Sequence, residues 1–280
     1  MRQNLVHLNV SRSWLLVNAA QPSLFDDALN SSADQLILDV EDAVAPEGKP
    51  AARQRVVDWL SRADRSAWVR INDVTTSHWA DDIAQLRDCG GVAGIVLAKT
   101  ESPRHIADTV SRWGKPIPII ALVESAVGIE NAVHIAEEPA TMRLAFGSGD
   151  YRRDTGAAAT DLAMAYPRSR LTVASRVGGL PGPIDGPTLA TSAETLRDNT
   201  TCARDMGMTG RLCLHADQAG IVNSALEPSI ADIKWARTFL DGFVAAGATL
   251  RDGSDKPQLF RANRIIELAA AYGTKSPTKT

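Results

Sequence analysis

The sequence predicts an α/β protein, a (β/α)8 TIM barrel with additional C-terminal helices. Two patterns and one missing motif predict it. Short, nearly unbroken apolar runs recur along the chain, each long enough for a strand buried on both faces and too short for a helix. Most are followed by a helical stretch, at intervals of roughly 20 to 40 residues, the alternation of parallel strands and crossover helices. The alternative with the same alternation is a doubly wound sheet, and against it the first strand-to-helix turn carries no Gly-x-Gly-x-x-Gly loop.

Taken in order, Trp14 to Val17 is the first strand candidate, with a helix near Pro22 to Asn30 after it. Leu36 to Val40 is the second and runs into Glu41-Asp42, with a helix over Lys49 to Leu60. Trp68 to Ile71 is the third, with Ile83 to Arg87 in the next helix; Gly94 to Ala98 is the fourth and ends at Lys99. Ile117 to Val123 is the fifth and ends in Glu124; Leu144 to Phe146 is the sixth and breaks at Gly147-Ser148-Gly149-Asp150. A helix from about Arg168 stops at Gly178-Gly179, where glycine past a helix end is the expected terminator. Pro183 to Asp185 is a weak seventh strand, and Arg211 to His215 closes the series. The barrel domain is thus placed at residues 1–226. Residues 227–280 fall outside the eight-unit count and read as a helical extension, a lid or a subunit contact: a helix from Pro228, a Gly/Asp/Lys-rich loop over Gly247 to Lys256, a helix from Leu259 to Ala270, and a polar tail expected to fray.

Composition narrows the function. The 280 residues are 44% hydrophobic, enough for a full core, and 30 basic against 33 acidic residues leave the charge near neutral. Without a long basic tract, nucleic acid is not an expected partner. No apolar run reaches the length of a membrane span, and the N-terminus lacks a secretory pattern. Cys89, Cys202 and Cys213 are odd in number and widely spaced, which fits reduced thiols in a cytoplasmic enzyme.

Barrel enzymes take their catalytic groups from the C-terminal strand ends. Here those ends offer Asp39, Glu41, Asp42, Arg70, Asn72, Lys99, Glu124, Asp150, Asp185 and His215. Glu124 and Asp150 follow consecutive strands, which tend to be neighbours. Two hard carboxylates converging without Cys or His suit an oxygen-loving ion such as Mg²⁺. Acids at helix starts are also favoured as caps and by the helix dipole, so both readings stand at this stage. Arg70 interrupts an apolar strand, and a buried arginine needs a partner, either a neighbouring carboxylate or an anionic substrate. Lys99 raises the rival chemistry of a Schiff base, which its acidic neighbours oppose by keeping the amine protonated. His215 has no second histidine near it in sequence and reads as structural.

The segments LILDVEDAVAPEGKPAAR (36–53), WVRIN (68–72), LAKTES (97–102), LVESAVGIENAVHIA (122–136), LAFGSGDYRRDTG (144–156) and GRLCLHADQ (210–218) occur in an order that resembles the citrate lyase β-subunit-like branch of the HpcH/HpaI aldolase superfamily. The resemblance runs from about Ser13 to Pro257. It implies a Mg²⁺-dependent carbon–carbon lyase on a TIM barrel, usually a homotrimer. Such enzymes act on 3-hydroxyacyl thioesters of the citryl, malyl or citramalyl kind, carried on coenzyme A or an acyl carrier, and give an acyl thioester and a keto acid, or run the reverse condensation. By that likeness Glu124 and Asp150 are the metal ligands, and Arg70, with Asn72 beside it, binds substrate and the enolate. Glu41 and Asp42 hold metal-bound waters and orient the arginine, and Asp255 is the aspartate offered to a neighbouring subunit's site. The chain departs from the family at Val17-Asn18, Val40, Arg211 and His215-Ala216, and Thr188 to Thr200 has the composition of an insertion. These changes leave the acyl group open. The alternatives are a metal-dependent aldolase on free keto acids and a non-catalytic subunit of a larger lyase complex.

Overall fold

Eight parallel strands pair each with the next, and the last returns to the first, so the sheet closes with no free edge. They are β1 (Ser13–Asn18), β2 (Gln35–Asp39), β3 (Ala67–Ile71), β4 (Val92–Leu97), β5 (Ile119–Val123), β6 (Thr141–Phe146), β7 (Ile184–Asp185) and β8 (Gly210–Cys213). The structure is a computed structural model and describes residues 6–189, 192–250 and 252–274. The helices are α1 (Phe25–Leu29), α2 (Lys49–Leu60), α3 (Ser77–Leu86), α4 (Pro103–Trp113), α5 (Ala126–Glu130), α6 (Ala132–Glu137), α7 (Ser148–Thr155), α8 (Asp161–Val177), α9 (Ala193–Asp205), α10 (Ala216–Leu226), α11 (Ile230–Ala245) and α12 (Asp255–Tyr272). The predicted (β/α)8 TIM barrel with added C-terminal helices is therefore the observed fold.

Strand ends differ from the sequence expectation by a residue or two, each for a local reason. β5 opens at Ile119, not Ile117, because Pro118 has no N–H to give to the ladder, although its carbonyl accepts from Ile95. β8 stops at Cys213, which leaves His215 outside the strand and exposed. The helix expected from Arg168 begins seven residues earlier, at Asp161, because the Thr160 hydroxyl accepts from the Ala163 N–H and caps it. The last helix opens at Asp255, ahead of the expected Leu259, since a proline such as Pro257 is tolerated in a first turn. The polar tail, residues 275–280, lies outside the described residues.

The barrel floor is filled by aromatic rings and one charge. Trp14 and Trp68 meet edge to face at 5.7 Å between centroids. The Trp68 ring lies across Gly94, where a Cβ would come within 2.2 Å of it, so glycine is required there by close approach. Arg143, fully buried near the start of β6, donates to the carbonyls of Gly182 (2.7 Å) and Ser11 (2.8 Å) and to the Thr209 hydroxyl (2.9 Å). Its guanidinium stands 5.5 Å from the Trp14 ring centroid. This end of the barrel is closed by packing, and the chemistry is left to the other.

Ser11–Ala225 forms one compact unit; the residues from Leu226 onward group with those before Ser11 in a second. In the second, α11 packs on α12, with Trp235, Phe239 and Phe243 stacked along α11 and Arg261 of α12 lying 4.6 Å from the Trp235 centroid. The Tyr272 hydroxyl donates to the Val10 carbonyl at 2.8 Å.

Candidate metal and substrate site

Glu124 is the first residue past β5, and Asp150 stands in the first turn of α7, just beyond β6. β5 and β6 pair with Val123 opposite Phe146, so the two acids leave neighbouring strand ends. Glu124 is 4% exposed. Its Oε1 accepts the backbone N–H of Lys99 at 2.8 Å, and Lys99 takes a left-handed φ of 47° at this junction. A non-glycine residue held there marks a backbone constraint at this strand end. Across from it, Gly147 leaves the space the carboxylate occupies: a Cβ would stand 2.1 Å from Glu124 Oε2. On Asp150, Oδ1 pairs with Arg153 at 3.2 Å, while Oδ2 is buried with no hydrogen-bond partner.

β2 and β3 bring the second half. Asp39 pairs in register with Arg70, and both are nine-tenths or more buried. Arg70 donates through Nε to Asp39 Oδ1 at 2.8 Å and through Nη2 to Oδ2 at 2.6 Å, a bidentate fork. Its Nη1 lies 3.3 Å from Glu41 Oε2. The orienting carboxylate is therefore chiefly Asp39, with one contact from Glu41; of the two readings open for Arg70, the carboxylate partner is present. Glu41 also faces the Lys99 ammonium at 3.6 Å, and its Oε2 accepts the Asp42 N–H at 2.8 Å. Asp42 and Asp150 lie close enough for each carboxyl to shift the other's proton affinity, which joins the two halves of the site.

Four carboxyl groups thus crowd one barrel mouth, and their proton affinities show it. Burial, with Glu41 and Asp150 nearby, pushes Glu124 up to about 8 in spite of the Lys99 N–H and Arg70. Burial raises Glu41 to about 7, opposed by Arg70 and reinforced by Asp42. Asp150 is raised by burial and by the charge of Asp42. Asp42 goes the other way: burial would raise it, but the hydrogen bond with Glu41 and the charges of Arg70 and Lys99 hold it down. Lys99 is shifted up despite partial burial, because Glu41, Asp42, Asp73 and Glu124 favour its charged form.

The remaining expected residues divide. Asn72 lies beside this network, and its amide nitrogen donates to Asp82 Oδ2 at 2.7 Å and to the Val40 carbonyl at 3.2 Å. Asp185 is not in the acid cluster. Arg168 holds its carboxylate at 3.1 and 3.2 Å, and Arg211 at 2.5 Å, a buried ion network between β7, β8 and α8. Asp255 opens α12 in the second unit and is buried. Sequence reading placed Asp39 among the polar strand ends but gave it no specific role; that it brackets Arg70 is seen only in the structure. Gly147 and the Lys99 backbone left no signal beyond a lone glycine and a lone lysine.

The donor set suits a hard divalent cation. The converging groups that could ligate a cation are carboxylates, with Arg70 and Lys99 beside them, and a buried Asp150 oxygen stands unpartnered among them. Among the described residues no group of three or more Asp, Glu, His or Cys side chains is arranged to hold a metal ion.

Residues 12–216 match the HpcH/HpaI aldolase/citrate lyase family, and residues 231–273 match the HpcH/HpaI aldolase C-terminal domain. The chain belongs to the HpcH/HpaI aldolase/citrate lyase family. Within that family it is 31% identical to a (3S)-malyl-CoA thioesterase of Cereibacter sphaeroides, over 94% of this chain and 96% of the relative. It is 29% identical to the human mitochondrial citramalyl-CoA lyase, over 87% of this chain and 81% of the relative. Among solved structures, protein CitE of Mycobacterium tuberculosis, in complex with magnesium, acetoacetate and coenzyme A, superposes with a TM-score of 0.79 at 28% identity, covering 94% of this chain and 100% of that one. As an HpcH/HpaI protein with lyase relatives, the chain is an enzyme of the carbon–carbon lyase type.

Proposed function

We propose that the chain cleaves a 3-hydroxyacyl-coenzyme A thioester of the citryl, malyl or citramalyl type into an acyl-coenzyme A and a keto acid, or runs the reverse condensation, with Mg²⁺ held by Glu124 and Asp150. The observation that carries this reading is the convergence of four carboxyl groups on one barrel mouth with a buried, unpartnered Asp150 oxygen among them. The magnesium-, acetoacetate- and coenzyme A-bound relative supports it. When bound, Mg²⁺ supplies Lewis-acid polarisation of the forming keto-acid carbonyl.

The chain's own residues do the rest. A base takes the hydroxyl proton, the carbon–oxygen bond becomes the keto-acid carbonyl, and the electron pair of the broken carbon–carbon bond passes to the thioester enolate. Arg70, locked by Asp39 along one edge, presents Nη1 to the enolate oxygen as a preorganised donor. Asn72 supports that end of β3. Protonation of the enolate carbon completes the reaction. Candidates for the proton transfers are a water held between Glu41 and Asp42, and Asp255 offered by a neighbouring copy. The latter goes with a homotrimer, and the free thiols of Cys89, Cys202 and Cys213 with a cytoplasmic protein.

The test is an assay of the purified chain on malyl- and citramalyl-coenzyme A. Acetyl-coenzyme A with glyoxylate or pyruvate is the expected outcome. Free coenzyme A as the main thiol product would favour hydrolysis, the second reading that the 31%-identical thioesterase supports. Cleavage of free keto acids alone would move the chain to the aldolase reading, and inertness without a partner protein to the subunit reading. Glu124→Ala should abolish turnover and leave the folded barrel; wild-type turnover in saturating Mg²⁺ would remove the metal assignment.

A further inference from the structure

Lys49 stands where two physical rules say a lysine should not be. It is the first residue of α2, where the positive end of the helix dipole disfavours a cation. Its side chain is also buried, at 6% exposure, and its ammonium is held by main-chain carbonyls rather than by a carboxylate. A buried charge without a counter-charge is costly unless its hydrogen bonds do specific work. Those bonds go to two consecutive carbonyls of the loop after β2: Nζ donates to Val40 at 3.1 Å and to Glu41 at 2.7 Å. The Val40 carbonyl also accepts from the Asn72 amide, and the Glu41 carbonyl from the Val44 N–H. Asn72 is held in turn by Asp82, which also binds Arg53 on α2 at 3.1 Å. One buried network thus runs from α2 and α3 to the peptide units that carry Glu41 and Asp42.

We propose that Lys49 is a positioning residue, whose ammonium fixes the loop that aims Glu41 and Asp42 into the acid cluster. It acts through main-chain carbonyls and touches neither substrate nor metal. The inference rests on the proposed role of Glu41 and Asp42, but the order of the loop is measurable whether or not the lyase reading holds.

The experiment compares Lys49→Met, Lys49→Arg and the wild type in the full chain. Hydrogen–deuterium exchange of peptides across residues 38–48 reads loop order, with β5 and β6 as internal controls. Mn²⁺ affinity, by electron paramagnetic resonance, reads the site. Lys49→Met should speed exchange in the loop and leave β5 and β6 protected. It should weaken Mn²⁺ roughly 10- to 100-fold, the usual effect of losing a group that supports a metal's ligands, and Lys49→Arg should restore both. A merely structural lysine would change melting temperature without this selective pair of effects. Wild-type loop exchange in Lys49→Met overturns the proposal, whereas a wild type that binds no Mn²⁺ overturns the metal reading and leaves the exchange result to decide on Lys49. If Lys49→Met loses protection in β5 and β6 as well, Lys49→Gln takes its place: its shorter side chain cannot span both carbonyls. Wild-type loop exchange there overturns the proposal too.

Discussion

Arg70 gives two of its guanidinium nitrogens to Asp39, at 2.8 and 2.6 Å, and turns the third toward Glu41 at 3.3 Å. Adjacent strands in register make this possible, since Asp39 and Arg70 are paired residues of β2 and β3. The arginine is held like a bracket, with one edge fixed and the other facing the acid cluster.

Removing either half should cost differently. Asp39→Ala leaves a buried guanidinium with its main counter-charge gone, a loss of about 3–5 kcal/mol in unfolding free energy. Arg70→Lys keeps a charge but cannot make the fork, so kcat should fall by roughly 10²–10³, as when an oxyanion donor is lost. Urea unfolding and steady-state kinetics check the pair. Equal stability losses with unchanged kcat in Arg70→Lys would make the arginine structural.

Gly147→Ala tests the space rather than the charge. The new methyl would stand 2.1 Å from Glu124 Oε2, so the carboxylate must swing away. Loss of Mg²⁺ binding by calorimetry, with far-ultraviolet circular dichroism unchanged, is the expected result.

The pH dependence follows from burial. Glu124 rises to about 8 and Glu41 to about 7 in the folded chain, both above the usual carboxylate range. Between that range and pH 8 the folded state therefore binds more protons than the unfolded one, and stability is lost as pH rises through 7 to 8. A divalent cation removes the need for those protons. In metal-free buffer the melting temperature should drop from pH 6 to pH 8.5, and saturating Mg²⁺ should raise it more at pH 8.5 than at pH 6. An equal Mg²⁺ effect at the two pH values would break the link between these acids and the ion.

Lys99 gives the test of the rival chemistry. Its amine is surrounded by Glu41, Asp42, Asp73 and Glu124, which hold it charged and poorly nucleophilic. Borohydride added with pyruvate should leave the mass of the chain unchanged, and EDTA should stop turnover. A reduced adduct on Lys99 would reverse that assignment.

Much of this was legible in the sequence because barrel strands announce themselves locally. A run such as Ile119–Val123 is apolar at every position since both its faces are buried, and Glu124, itself buried, follows where the apolar run ends. Strand order and helix alternation then brought Glu124 and Asp150 to neighbouring edges. Asp185 shows the limit of that logic. It too ends a strand, yet Arg168 and Arg211 reach it from other elements and withdraw it from the cluster.

The sequence by itself determined the barrel, its family and which strand ends carry acids, because apolar period and strand-end polarity are properties of contiguous residues. Only the tertiary structure decided that Asp39 brackets Arg70, that Gly147 clears room for Glu124, and that Lys49 supports the loop of Glu41. Each of those depends on atoms distant in the chain meeting within a hydrogen bond or a van der Waals radius. Strand register and helix packing set such distances, and no local pattern encodes them.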